Sequence, residues 1–249
     1  MPVLVAVTVG GLLVLAVYAG AGVLALAVVG AQAVLAYGLT GTREQPGRER
    51  AGALVALAGI AAVVALWLAK PEPTGPTIAP ALWVLGPAVV LALLRELARR
   101  DGRERLVESL ATTVTGVAFA GLVALLVPLE SLEPTRHVGV VFAVSGAVLG
   151  VGVWWLATAG RGRWRGVGVV LAVAVLAATA VVLLTVTVQE LARDQQLALG
   201  GVVAVTGMVG AGTGHQLGRD RVSRVCLMSV LGLALAGPAA YFTVRVLFW

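Results

Sequence analysis

Residues 197–224, LALGGVVAVTGMVGAGTGHQLGRDRVSR, run from an apolar stretch through Gly207, Gly210, Gly212, Gly214 and Gly218 into Arg219, Asp220, Arg221 and Arg224. Part of this stretch, VVAVTGMVGAGTG, has the look of a strand feeding a glycine-rich dinucleotide loop. That reading needs a surrounding βαβ unit and an acidic residue about 20 positions on to hold a ribose, and neither is present. Read as a helix, the same residues place Gly210, Gly214 and Gly218 four apart on one face, where small residues let a neighbouring helix approach closely. The run is a membrane span with a small basic cluster at its end.

The rest of the chain agrees. Of its 249 residues, 59% are apolar and only 12% are charged, against about a quarter charged in a soluble domain, and the mean hydropathy is +1.00. Uncharged runs of about 18 residues or more are long enough to cross roughly 30 Å of hydrocarbon at about 1.5 Å per residue. The net charge of +6 and pI of 10.7 do not indicate nucleic-acid binding, because the arginines form no single stripe and sit in short loops between apolar runs. The single Cys226 excludes an intrachain disulfide and a cysteine-based metal cage.

The expected fold is all-α: one transmembrane domain over 1–249, a polytopic helical bundle of about nine spans. These lie near 3–18, 21–39, 51–69, 81–95, 107–127, 138–158, 167–188, 197–213 and 225–244. The first 40 residues carry no charged side chain, unlike a cleavable signal peptide with its basic flank. They are read as a helical hairpin broken at Gly20–Gly22, with one long tilted helix as the alternative. Pro71, Pro73, Pro76 and Pro80 are expected to hold an extended loop, Pro87 to kink the fourth span, and Pro128 to end the fifth. Glu96 and Arg100 stand four apart, on what reads as a solvated helix end. Thr112, Thr113 and Thr115 are expected to bond back to their own helix.

Basic residues test the span count. The loops 41–50, 95–106, 159–166 and 214–224 hold 14 of the 18 lysines and arginines, and the alternating segments hold 4. Such alternation puts the four richer loops in the cytoplasm, with the N-terminus inside and the C-terminus outside an inner (cytoplasmic) membrane.

The pattern offers little chemistry. All twelve acidic residues fall in loops or at span ends, Glu108 and Glu190 coming closest to the interior, whereas ion-coupled transporters normally bury an ionisable group at the midplane. His137 and His215 fall at opposite faces and cannot share a metal. No residue set has catalytic or metal-ligand spacing. Gly146 and Gly150, with Ser145, mark a second small-residue face. The arginines of 161–165 and 219–224 lie on one side, where they read first as topology determinants and, alternatively, as a basic rim for anionic headgroups.

With those two loops placed, the chain resembles the phosphatidate cytidylyltransferases, also called CDP-diacylglycerol synthases, most strongly in its last third. That family joins CTP to phosphatidic acid with carboxylate-bound Mg²⁺. Its GDLxESxxKRD segment corresponds to Gly210–Asp220, where Gly210, Arg219 and Asp220 match and the acidic positions are Ala211 and Gly214. The C-terminal Pro-x-Ala-Tyr is met by Pro238, Ala240 and Tyr241, while the aspartates before it fall near Leu231. The KKTWEG loop resembles Arg161–Gly166, with Arg165 in place of the acid, and the Ser-Asp-Thr-Gly motif starts at Ser145 but has Gly146 for its aspartate.

The resemblance implies a retained scaffold without its metal-holding carboxylates. The expected protein is a catalytically impaired relative with no catalytic residues, no resident metal and no cofactor, Mg²⁺ entering only if an active enzyme survives. Its headgroup-binding residues would be Arg163, Trp164, Arg165, Arg219, Arg221 and Arg224, and its packing residues Gly146, Gly150, Gly210, Gly214 and Gly218. Its partners would be membrane lipids, phosphatidic acid or another anionic phospholipid, and not nucleic acid; a homo-oligomer or a partner membrane protein stays open. The alternatives are an active, diverged cytidylyltransferase and a transporter or channel component of unrelated fold.

Overall fold

The computed structural model describes residues 2–40, 48–69, 78–98, 106–129, 138–158, 193–218 and 220–248. All secondary structure among them is helical: α1 (Pro2–Ala19), α2 (Ala21–Thr40), α3 (Arg48–Leu68), α4 (Ala79–Leu97), α5 (Leu106–Ala124), α6 (Leu126–Leu129), α7 (Val138–Thr158), α8 (Arg193–Leu217) and α9 (Arg221–Phe248). Five stretches are long and apolar enough to cross a membrane: Ala21–Leu39, Ala51–Leu68, Ala79–Leu97, Ser109–Leu129 and Arg221–Thr243. Eight of the expected spans fall on described helices, and 167–188 lies outside the described residues.

Local sequence explains the breaks. The first 40 residues form two helices, separated at Gly20 by a backbone φ of +116°, a conformation open to glycine and costly for other residues. Helix α1 doubles back beside α2, and its Gly10 lies against Val144 and Val148 in the middle of α7. Pro128 lacks an N–H and crowds the carbonyl four residues earlier. Accordingly α5 ends at Ala124, and Leu125 N–H bonds the Leu122 carbonyl at 3.2 Å. Pro80 departs from expectation by standing within the first turn of α4, where its missing donor has no intrahelical partner to lose.

Helices α7, α8 and α9 form the tightest part of the bundle. Helices α7 and α8 run parallel: Gly146 meets Val203, Gly150 meets Gly207 and Met208, and Trp154 covers Gly212. Helices α8 and α9 run antiparallel: Gly210 meets Leu231, Gly214 meets Leu227 and Met228, and Gly218 meets Arg224. At each of Gly146, Gly150, Gly207, Gly210 and Gly214 an added Cβ would collide with backbone of the facing helix. The glycines serve close approach, as their four-residue spacing predicts.

On the other side α2, α3 and α5 pack around a buried amide. Gln32, 1% exposed, donates Nε2–H to the Ala120 carbonyl at 2.9 Å and lies over Gly59. Gly116 meets Val55 and Leu39, and Leu85 meets Gly121, which makes α3 and α5 parallel and α4 and α5 antiparallel. Helix α9 is the most enclosed of the five long apolar stretches, with 67% of its window buried, and α4 the most peripheral, with 22%.

These pairings sort the helix ends. The C-terminal ends of α2, α4, α7 and α8 and the N-terminal ends of α3, α5 and α9 share one end of the bundle. Of the seven described basic positions, Arg48, Arg50, Arg95, Arg221 and Arg224 belong to that end, and Arg193 and Arg245 to the other. Exposed Tyr18, Trp67 and Trp83 stand at the opposite end, and exposed Tyr37 stands at the basic end, as aromatic residues do at membrane–water interfaces. Along α3, Arg50 and Trp67 are 17 positions apart, or about 26 Å of rise, close to a hydrocarbon thickness of roughly 30 Å.

Candidate functional site at the basic end

At the basic end, the α8–α9 turn packs on the end of α2. Helix α8 closes with Gly218 N–H on the Gly214 carbonyl at 3.1 Å. Helix α9 opens with Asp220, whose Oδ2 accepts the Ser223 N–H at 3.3 Å and whose carbonyl accepts the Arg224 N–H at 3.1 Å. This is a side-chain N-cap. It fills the position at the α9 N-terminus where an anion would otherwise be favoured.

The two described arginines of the predicted rim have different surroundings. Arg221 is exposed. Arg224 is half-buried and donates Nε–H to the Gly218 carbonyl at 3.3 Å, which ties the start of α9 to the end of α8. Arg163, Trp164, Arg165 and Arg219 lie outside the described residues.

The remaining polar groups have structural duties. Ser223 Oγ–H donates to the Gly38 carbonyl at 2.6 Å in a buried contact, joining α9 to α2. His215 stacks at a tilt on Trp154, ring centroids 6.1 Å apart. Thr113, Thr206, Thr213 and Ser229 bond to carbonyls three or four residues earlier, as expected for hydroxyls within helices. Cys226 is a free, half-buried thiol in the first turns of α9. Replacing Ser223 by Ala should cost about 1 kcal/mol, the typical worth of a buried hydrogen bond. A thermal melt in detergent would read it as a modest fall in Tm with the fold retained.

Mg²⁺, which the active-enzyme alternative would need, does not fit the residues present. Of the positions that the resemblance aligns with the family's carboxylates, Arg165 lies outside the described residues, and Ala211 and Leu231 are fully buried. Gly146 and Gly214 press on neighbouring backbone. Helix contact occupies the space that carboxylates would need, and these positions carry no oxygen-bearing side chain to hold the cation. Among the described residues no group of three potential metal ligands forms.

One site expectation requires correction. Glu96 is not on a solvated helix end: it is 1% exposed and its Oε1 lies 3.0 Å from Arg95 Nη1. Arg100, the expected partner, lies outside the described residues, as does Glu190, and the side chain of Glu108 is not described. The signal was in the spacing. Ala81, Leu85, Ala88, Ala92 and Glu96 fall at near-helical intervals on the face of α4 that packs inward, and reading the charged run RELARR as one unit hid that face. Gln32 was missed for a similar reason, being a single polar residue in an otherwise apolar span.

Comparison with known proteins gives no family model, no curated relative and no solved structure that matches this chain.

Proposed function

We propose that this chain is a nine-span protein of the inner (cytoplasmic) membrane, built on a cytidylyltransferase-like scaffold without catalytic carboxylates, that binds anionic phospholipid at its arginine-bearing end. The observation that carries this reading is the gathering of Arg48, Arg50, Arg95, Arg221 and Arg224 at one end of the bundle, with Arg193 and Arg245 at the other. The positive-inside bias then directs that end to the cytoplasm. The exposed Arg221 there suits a phosphate, a guanidinium offering several donors in a fixed fork.

Two further features support it. The parallel pairing of α7 with α8 suits the sequence expectation of a further span at 167–188, which lies outside the described residues. Four of the positions that the resemblance assigns to acids, Gly146, Ala211, Gly214 and Leu231, lie on α7, α8 and α9, the helices in closest mutual contact. That arrangement suits a scaffold whose former site has been closed by packing.

Retention of phosphatidic acid by the purified protein tests the binding. Near a membrane surface each basic residue contributes about 1 kcal/mol, so Arg219→Ala together with Arg221→Ala should weaken retention by roughly 30-fold. Phosphatidylcholine retention should stay unchanged. Equal phosphatidic acid retention by the wild type and the double variant would overturn the proposal. In a parallel assay with labelled CTP, phosphatidic acid and Mg²⁺, turnover should stay at background; robust turnover would refute catalytic impairment while leaving lipid binding intact.

A further inference from the structure

We propose that Gln32 is a register pin: its buried amide fixes how far along α3 and α5 helix α2 sits. Through α2 it sets the level of the first turn of α9 at the basic end.

The faces that meet here are otherwise unspecific. Helix α2 buries Leu24, Val28 and Leu35 against a core to which α3 and α5 contribute Ala58, Ala62 and Val117. Aliphatic surfaces of this kind pack at similar cost in more than one axial position, because lipid tails are as apolar as the helices. Among the described residues Gln32 is the only buried polar side chain on α2.

One position on each partner accepts the amide. It lies flat over Gly59, with Cδ, Oε1 and Nε2 at 2.8, 2.9 and 3.1 Å from where a Cβ would stand. On α5 the Ala120 carbonyl accepts Nε2–H at 2.9 Å. One turn to either side of Gly59 are Val55 and Val63, both 2% exposed. Their branched side chains are stiff and do not swing aside. A slip of α2 by one turn, about 5 Å, would carry the amide onto a valine and away from the Ala120 carbonyl. Gln32, Gly59 and Ala120 all stand near the middle of the apolar stretches Ala21–Leu39, Ala51–Leu68 and Ser109–Leu129. At that depth no water replaces a lost partner, so a slipped amide stays unpaired.

The pin supplies position more than strength. Only half of the amide is satisfied, since no hydrogen bond reaches the buried Oε1. An unpaired buried acceptor costs about as much as the Nε2–H bond returns, so the net effect on stability is small. Between registers, however, the whole bond is gained or lost. The consequence reaches the basic end: six residues along α2, the Gly38 carbonyl accepts Ser223 Oγ–H at 2.6 Å, which ties the level of α2 to the start of α9.

Gln32→Met tests the pin, because it keeps the length of the side chain and removes both polar atoms. Spin labels at Tyr37 and Leu68, both exposed, report α2 against α3 in a Cys226→Ser background. Labels at Leu217 and Phe242, both exposed, report α8 against α9, where glycines set the contact. The otherwise native protein should give one dominant Tyr37–Leu68 distance. Gln32→Met should add a second component displaced by about 5 Å, one helical turn. Leu217–Phe242 should stay unmoved, and the Tm should fall by less than about 4 °C. A single, unmoved Tyr37–Leu68 distance in Gln32→Met would overturn the proposal, because aliphatic packing would then set the register alone. So would a larger fall in Tm with both pairs displaced, which would make the amide a support of the whole bundle.

Discussion

Gly207→Ala should destabilise the protein by about 3 kcal/mol or more, while Gly201→Ala on the same helix should be neutral or stabilising. An alanine is favoured over glycine inside a helix by up to about 1 kcal/mol, so propensity alone predicts a gain at both positions. Packing reverses the sign at Gly207. Its added methyl would collide with the Gly146 carbonyl and lie 3.0 Å from Ala147 Cα, whereas nothing stands within 4 Å at Gly201. Overpacking usually costs about 1–3 kcal/mol, when side chains can shift; here the obstacle is the backbone of α7, which yields only by separating the helices. Thermal melts of the two variants in the same detergent decide the matter. Equal Tm values for both would show that α7 and α8 are not in this contact.

Placing acids where the proposed cytidylyltransferase likeness would put them, Ala211→Asp with Gly214→Glu, should abolish folding rather than create metal binding. Ala211 is fully enclosed, and an added Cβ at Gly214 would meet the backbone of Leu227 and Met228. The double variant would place two carboxylates, each with an effective burial penalty of several kcal/mol, where helices α8 and α9 touch. Size-exclusion profiles should show aggregation, with or without Mg²⁺. A well-folded variant whose Tm rises with Mg²⁺ would mean that the α8–α9 contact has room for acids and a cation, and would favour the active-enzyme alternative.

The two results bear on the functional reading in different ways. Failure at Gly207 would undo the three-helix junction. Tolerance at Ala211 and Gly214 would instead reopen the catalytic alternative and leave the arginine-bearing end as described.

What the sequence determined by itself is what depends on local or periodic chemistry. Apolar runs marked the helices, because a backbone in lipid must satisfy its hydrogen bonds within the helix. Gly20 marked the first hairpin, and the four-residue spacing of Gly146 and Gly150 and of Gly210, Gly214 and Gly218 marked faces of close approach. Which helices those faces meet was decided only in three dimensions. The parallel pairing of α7 with α8, the burial of Glu96 on the inner stripe of α4 and the bridge from Ser223 to Gly38 join residues distant in sequence or face. A linear pattern carries a residue's own face and period but not the identity of its neighbour, which depends on how several helices share one limited interior.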